Sequence, residues 1–237
     1  SVSQAVRLNA KVLSLSPNNL KLAHEIGLHN AHNLMLRDHC QEALALASSA
    51  YSYFSEVYKE ADQIELMEKA RQRMAKVQQR TGNFQIAKQY LEICRERLSD
   101  EKLETQQDRI AAKQKLYSGV LHDLGSVFWE EGLDYDRSIA FLDNAIAYKL
   151  SINGNNENDN PIHFSRMIRG VVNALQGNYT EQAKEHKEVF KFFSSIKEYR
   201  RQIYTAYYLL HFGWDKAGWQ DRHTNDFDQY AIYFTER

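Results

Sequence analysis

Proline is almost missing from this chain. Two prolines in 237 residues leave long stretches that nothing breaks, which favours long helices. Cysteine is as scarce: Cys40 and Cys94 are the whole supply, too few for a disulfide framework. Cys94 falls on a predicted packing face, where a free thiol acts as a small apolar residue. No run approaches the ~20 apolar residues of a membrane span, and no signal peptide is visible, so a cytoplasmic setting is expected. Charge of one sign is lacking too. The formal net charge is -1, which gives no bulk attraction to nucleic acid or to an anionic membrane surface. There is no glycine-rich phosphate loop, no HExxH and no serine nucleophile elbow. A non-enzymatic chain without a cofactor is the expectation.

What is present is a pattern. Leu121, Leu124, Gly125 and Phe128 recur at helical spacing and share one face. Gly125 sits inside this helix, at a cost of about 1 kcal/mol against alanine, which points to close backbone approach by a neighbouring helix. Gly132 tolerates φ > 0 and stops the helix. A second helix from about Asp136 carries Ile139, Leu142, Ala145 and Ile146 inward. Leu124, Gly125, Phe128, Gly132, Ser138, Leu142 and Ala145 together resemble a tetratricopeptide (TPR) repeat. One residue is inserted after Gly132, Ser138 replaces the usual alanine, and Leu121 stands where the family often has tryptophan.

Weaker copies flank it. Met74, Ala75, Gly82, Phe84, Ala87, Leu91 and Cys94 fit the same frame, as do Gly170, Gly177, Tyr179 and Ala183. The turn glycines at 82, 132 and 177 are 50 and 45 residues apart, longer than the roughly 34 of a standard TPR repeat. The resemblance implies an all-α, right-handed superhelical solenoid of about five helix-turn-helix repeats, of the long-repeat kind seen in bacterial peptide-sensing TPR regulators and kinesin light chains. As one domain, 1–237, it divides into a partial repeat or cap at 1–17, repeats at 18–60, 62–98, 103–150 and 162–196, and an atypical repeat with a capping helix at 198–237. Asn18 or Asn19 caps the first full repeat, whose turn is weak because Asp38 takes the glycine position. The charged stretch 99–115 is a helix extension or a mobile connection. Residues 151–160 read as an exposed loop, and Pro161 is placed to start the next helix. Ala5, Leu8, Val12, Leu15 and Pro17 match a repeat's second helix, so the chain either begins mid-repeat or opens with an ordinary cap.

In TPR proteins the first helix of each repeat lines the concave groove. That frame presents Lys69, Arg73, Lys76 and Arg80 on one helix face, a row able to hold a carboxylate, a phosphate or an acidic peptide. A solvated basic face, balanced by Glu65, Glu68 and Glu92, is the competing reading. Neighbouring groove positions are His32 and Met35, then His122, Ser126 and Trp129, then Met167 and Val171, then Tyr204, Tyr207 and His211. The family's chaperone-carboxylate clamp is not reproduced, because its positions read Leu28 and His32, Gln72 and Lys76, and His122 and Ser126. His24, His29, His32, His39 and Cys40 lack the spacing of a structural zinc site. Glu130, Glu131, Asp134 and Asp136 lie at a turn, as helix caps or solvated groups. Trp214, Trp219, Phe227, Tyr230, Tyr233 and Phe234 form either a cap or an exposed seam for a missing repeat or a second copy in a homodimer. The expected function is a protein or peptide interaction module with a basic groove centre, with no direct nucleic-acid or membrane partner. The alternative is a ligand-sensing regulatory segment of a larger bacterial signalling or transcription-control protein. An enzyme built on the solenoid comes third.

Overall fold

A computed structural model describes residue 11 and residues 19–57, 64–99, 107–154, 156 and 159–212. Among these residues every regular element is helical: α1 Leu20–Met35, α2 Cys40–Val57, α3 Ile64–Arg80, α4 Phe84–Ser99, α5 Gln107–Glu131, α6 Tyr135–Ile152, α7 Asn160–Leu175, α8 Tyr179–Ser195 and α9 Tyr199–Phe212. Successive helices pack as neighbours from α1 to α4 and again from α6 to α9, as short connections between helices dictate. The expectations for residues 1–10, 12–18 and 213–237, the C-terminal aromatics included, lie outside the described residues.

The turns follow one backbone rule. Asp38, Gly82, Gly132 and Gly177 all have positive φ, and so does Lys197. At four of these five the next residue's N–H reaches back to a carbonyl five residues earlier: His39 to Leu34, Asn83 to Gln78, Asn178 to Asn173 and Glu198 to Phe193. This is the Schellman closure, which satisfies carbonyls the helix end leaves open and requires the left-handed conformation at the residue after the cap. Asp38 therefore occupies the glycine position, as the repeat frame implied, with φ +62°. Two capping expectations divide. Asp134 caps α6 by accepting a bond from the Arg137 N–H at 3.0 Å. Asn19 stands at the start of α1 but its side chain makes no capping bond, because its ψ of 23° departs from the extended backbone typical of a capping residue. Pro161 lies in the first turn of α7, where its missing N–H costs nothing. Helix α6 runs on to Ile152, into the expected loop, and α5 takes in residues 107–115 of the charged stretch.

The chain divides into two compact units, Ser1–Val127 and Phe128–Arg237. In the first, Leu28, Ala31 and Leu34 of α1, Ala43, Ala47, Ala50 and Phe54 of α2, and Met67, Ala70 and Val77 of α3 form a continuous core. Alanines at the helix contacts let backbones approach, and each large side chain buried contributes about 1.5–3 kcal/mol. In the second, Leu142, Met167, Ile168, Val172, Val189 and Phe193 pack together, with Trp129, Ile139 and Tyr208 against them. At Gly170, which holds the place in its repeat that Gly125 holds in the clearest one, a β-carbon would stand 2.8 Å from the His186 ring.

A histidine–aromatic lock appears once in each unit. His24 of α1 stacks on Tyr53 with centroids 4.3 Å apart and meets Phe54 edge-on at 6.1 Å. His163 of α7 stacks on Phe192 at 3.7 Å and meets Phe193 edge-on at 6.3 Å. The sequence offset from histidine to aromatic pair is the same in both units.

Candidate ligand-binding faces

In the first unit α1 packs directly on α3, and α5 reaches α3 through Asp123. Three helices thus bring His32, the α3 cations and the 119–126 segment of α5 to one face. Spacing of four, three and four residues puts Lys69, Arg73, Lys76 and Arg80 on a single side of α3, and the structure gives each a different setting. Lys69 is exposed. Arg73 is half-buried and its Nη1 lies 2.7 Å from His32 Nδ1. A guanidinium only donates, so Nδ1 accepts and the His32 ring carries its proton on Nε2. Burial, reinforced by the neighbouring Arg73 and Lys76 charges, holds the His32 pKa down at about 4, which keeps the ring neutral and able to accept. Burial also lowers the Arg73 pKa, with Asp123 opposing it, and its buried Nε has no partner among the described residues.

Lys76 is paired, with its Nζ 2.9 Å from Asp123 Oδ1. The other Asp123 oxygen accepts from Gln72 Nε2 at 2.7 Å, and Asp123 is itself buried. Arg80 is exposed and donates from Nε and Nη2 to Asp38 in the α1–α2 turn, at 3.0 and 2.8 Å. The basic row thus carries no acid of its own but receives two from neighbouring elements. Two of the acids named for the competing reading lie elsewhere. Glu68 is wholly buried between Arg71 and Arg97, and Glu92 pairs with Arg95 along α4. His122 and Ser126 are buried on α5, beside Asp123 in sequence. Sequence reading passed over Gln72 and Asp123 as site residues, and the only signal for Asp123 was its place one turn before Ser126.

The second unit offers aromatics. Tyr204 and Tyr207 are exposed on α9. Tyr207 stacks on His211 with centroids 5.1 Å apart, and Arg200 sits over the Tyr204 ring. Trp129 is half-buried against the core, its indole N–H without a partner among the described residues. Met167 and Val171, expected in the groove, are core residues, as is Met35 of the first unit, because these positions turn toward the partner helix. The histidines considered for metal are dispersed. His24 is in its ring stack, His32 on Arg73 and His39 beside Glu42. Among the described residues no three His, Cys, Asp or Glu side chains are grouped so that they could hold a metal ion, and no helix is long and apolar enough to cross a membrane.

No family model matches the sequence, and no curated protein matches it. Solved structures do. A kinesin-light-chain-type protein of Podosopora anserina with nearly identical TPR-like repeats superposes with a TM-score of 0.60 at 14% identity, over 93% of this chain and 97% of that one. A glutamine-to-methionine variant of it gives 0.61 at 13%, over the same shares. The fold is TPR-like. The likeness covers both units, and the all-α repeat architecture implied by the turn glycines is present in the described residues. Such identities speak for the TPR-like fold alone; the residues of the two faces are this chain's own.

Proposed function

We propose that this TPR-like chain is a non-enzymatic protein-interaction module whose first unit binds an acidic peptide segment on the face shared by α1, α3 and α5. The repeat fold supports the first half, because stacked helix pairs present an extended, fairly rigid surface. Several titratable groups with perturbed environments are also tied up. His186 bonds a backbone carbonyl, Glu68 is held between two arginines, and burial pushes the Cys94 thiol far above its usual range. The second half rests on one observation. Arg73 is withdrawn from water against a neutral histidine instead of a carboxylate. Lys69 and Lys76 flank it on the same helix face, and Asp123 is the one carboxylate the described ion pairs bring to these three. An incoming carboxylate meets charge-assisted donors where partial burial strengthens the interaction. Exposed Arg80, engaged with Asp38, extends the row toward the turn.

A pull-down from cell extract with the whole chain tests this, beside a variant carrying Lys69→Glu and Arg73→Gln. Lys76→Glu is a poor choice, since it would set a carboxylate against buried Asp123. The expected result is loss of a captured partner in the variant, with helical content retained and Tm lowered by no more than about 4 °C. Capture unchanged in the variant would sink the reading. Binding should also weaken steeply between 0.1 and 1 M salt, as the Debye length falls from about 10 to 3 Å.

A further inference from the structure

The two units treat one topological crevice in opposite ways. In the first, the crevice between α2, α3 and α4 is sealed. Glu68 and Arg71 fill it as a buried pair, Arg71 Nη2 donates to the Tyr51 hydroxyl at 2.7 Å, and Arg97 Nε lies 3.0 Å from Glu68. In the second, the corresponding crevice between α6, α7 and α8 stays open, with a cavity of ≈ 370 Å³. Its lining is polar throughout except for Ile139. Spacings of three and four residues along α7 and α8 aim these side chains at one another.

The floor of this cleft is committed. Arg169 Nε donates to both carboxylate oxygens of buried Glu185, at 3.0 and 3.2 Å. Nη2 bonds the same carboxylate, and Nη1 bonds Asp143 on α6. Burial works against the Arg169 charge, but the two carboxylates outweigh it and raise its pKa. A guanidinium so held fixes three helices, and two carboxylates already balance its charge. The rim differs. Glu181, Lys184 and Glu188 are exposed on the same side of α8, and among the described residues no ion pair or hydrogen bond engages them. Asn173 adds an amide, and Arg166 lines the α7 side.

The chemistry of that rim selects its ligand. Four carboxylates line the cleft in all, which repels a pure anion; three cations do the same to a polycation. A single apolar side chain gives an apolar ligand little to bury. A group carrying both charges satisfies both sets. On α8, Lys184 follows Glu181 by three residues and precedes Glu188 by four, so the charges alternate at roughly 5 Å intervals along the axis. We propose that the α6–α7–α8 cleft is a second binding site, for a ligand bearing an ammonium or guanidinium and a carboxylate side by side. Adjacent basic and acidic residues of a peptide segment have this chemistry, and so does a free dipeptide. The basic group lies against Glu181 and Glu188, and the carboxylate against Lys184 and Asn173. Nothing in this depends on the α3 face, so the site stands whether or not the first unit binds acidic peptides.

The test is an amide chemical-shift titration of the whole isotope-labelled chain with three probes: free L-lysyl-L-glutamate, the same dipeptide blocked as N-acetyl amide, and L-lysinamide. Binding of the blocked dipeptide, with shifts confined to α7 and α8 around residues 173–188, supports a peptide segment as the source. Binding of the free dipeptide alone supports a small zwitterion. In either case E181Q with E188Q should weaken binding at least fivefold and K184Q at least threefold, without a change in thermal midpoint, because all three side chains are exposed. The K69E and R73Q variant should bind the probes as the parent does. Absence of shifts with both dipeptides, lysinamide binding as tightly as they do, or unchanged affinity in the α8 variants would each overturn the proposal.

Discussion

His186 holds no second proton near neutral pH. It is fully buried on α8, its Nε2 lies 3.0 Å from the Met167 carbonyl, and Gly170 leaves just enough space for the ring. Burial lowers its pKa to about 4, with hydrogen bonds to the Met167 and Gln182 backbone opposing. The unfolded chain restores a value near 6.5, so between these values the unfolded state binds more protons. Stability therefore rises with pH, is complete above about 6.5, and is lost as pH falls toward 4. From pH 7 to 5 this one ring should cost about 2 kcal/mol. His24 and His32, also lowered, act in the same direction. Glu68 and Glu185, raised by burial, act in the opposite one. The contribution of His186 is therefore read as a difference: urea unfolding at pH 7 and pH 5, in the parent and in His186→Gln. Most of that loss should vanish in the variant, although it is less stable at neutral pH, and an identical pH slope in both proteins would refute the assignment. No pattern in the sequence separates His186 from the exposed histidines. Its burial follows from the close approach of α7 at Gly170, which only the three-dimensional packing shows.

At the scale of elements, what was legible was backbone chemistry. Gly82, Gly132 and Gly177 marked three turns because the chain leaves each helix there with φ > 0, which glycine adopts freely and which the Schellman closures at Gly82 and Gly177 require. The same closure at Lys197, with φ +57°, carried no such mark, since lysine has no turn signal. Nor was the histidine–aromatic lock visible. It joins the beginning of one helix to the end of the next, and a search for residues sharing a single helix face does not span that offset. Lys197 offers a direct check. Its side chain is exposed and no ion pair or hydrogen bond engages it among the described residues. Lys197→Gly removes the left-handed penalty of about 1–2 kcal/mol for a residue with a β-carbon and adds unfolded-state entropy worth up to about 1 kcal/mol. A net gain of up to about 1 kcal/mol in chemical unfolding is expected. A loss of stability would mean that the lysine side chain holds the α8–α9 turn.

For the molecule as a whole, a formal charge of -1 conceals charges paired across long stretches of chain. Arg80 meets Asp38 across 42 residues, and Lys76 on α3 meets Asp123 on α5. The basic row was legible as a helix face. Its counter-ions were not, because helical periodicity says nothing of which distant turn or helix lies opposite. The buried Glu68 network tests how far such pairing acts. Glu68 ties α3 to α4 through Arg97, and Arg71 carries the link to Tyr51 on α2. Glu68→Gln leaves Arg71 buried without its counter-charge, a loss on the order of 3–5 kcal/mol. In a repeat fold whose stability is a sum of local and nearest-neighbour terms, that loss should stay local. Hydrogen exchange should show amides of α2, α3 and α4 losing protection by two to three orders of magnitude, at about 1.4 kcal/mol per tenfold, while α7 and α8 keep theirs. A uniform fall across both units would mean that residues 1–127 and 128–237 unfold as one cooperative body, and the division between them would then be geometric without being energetic.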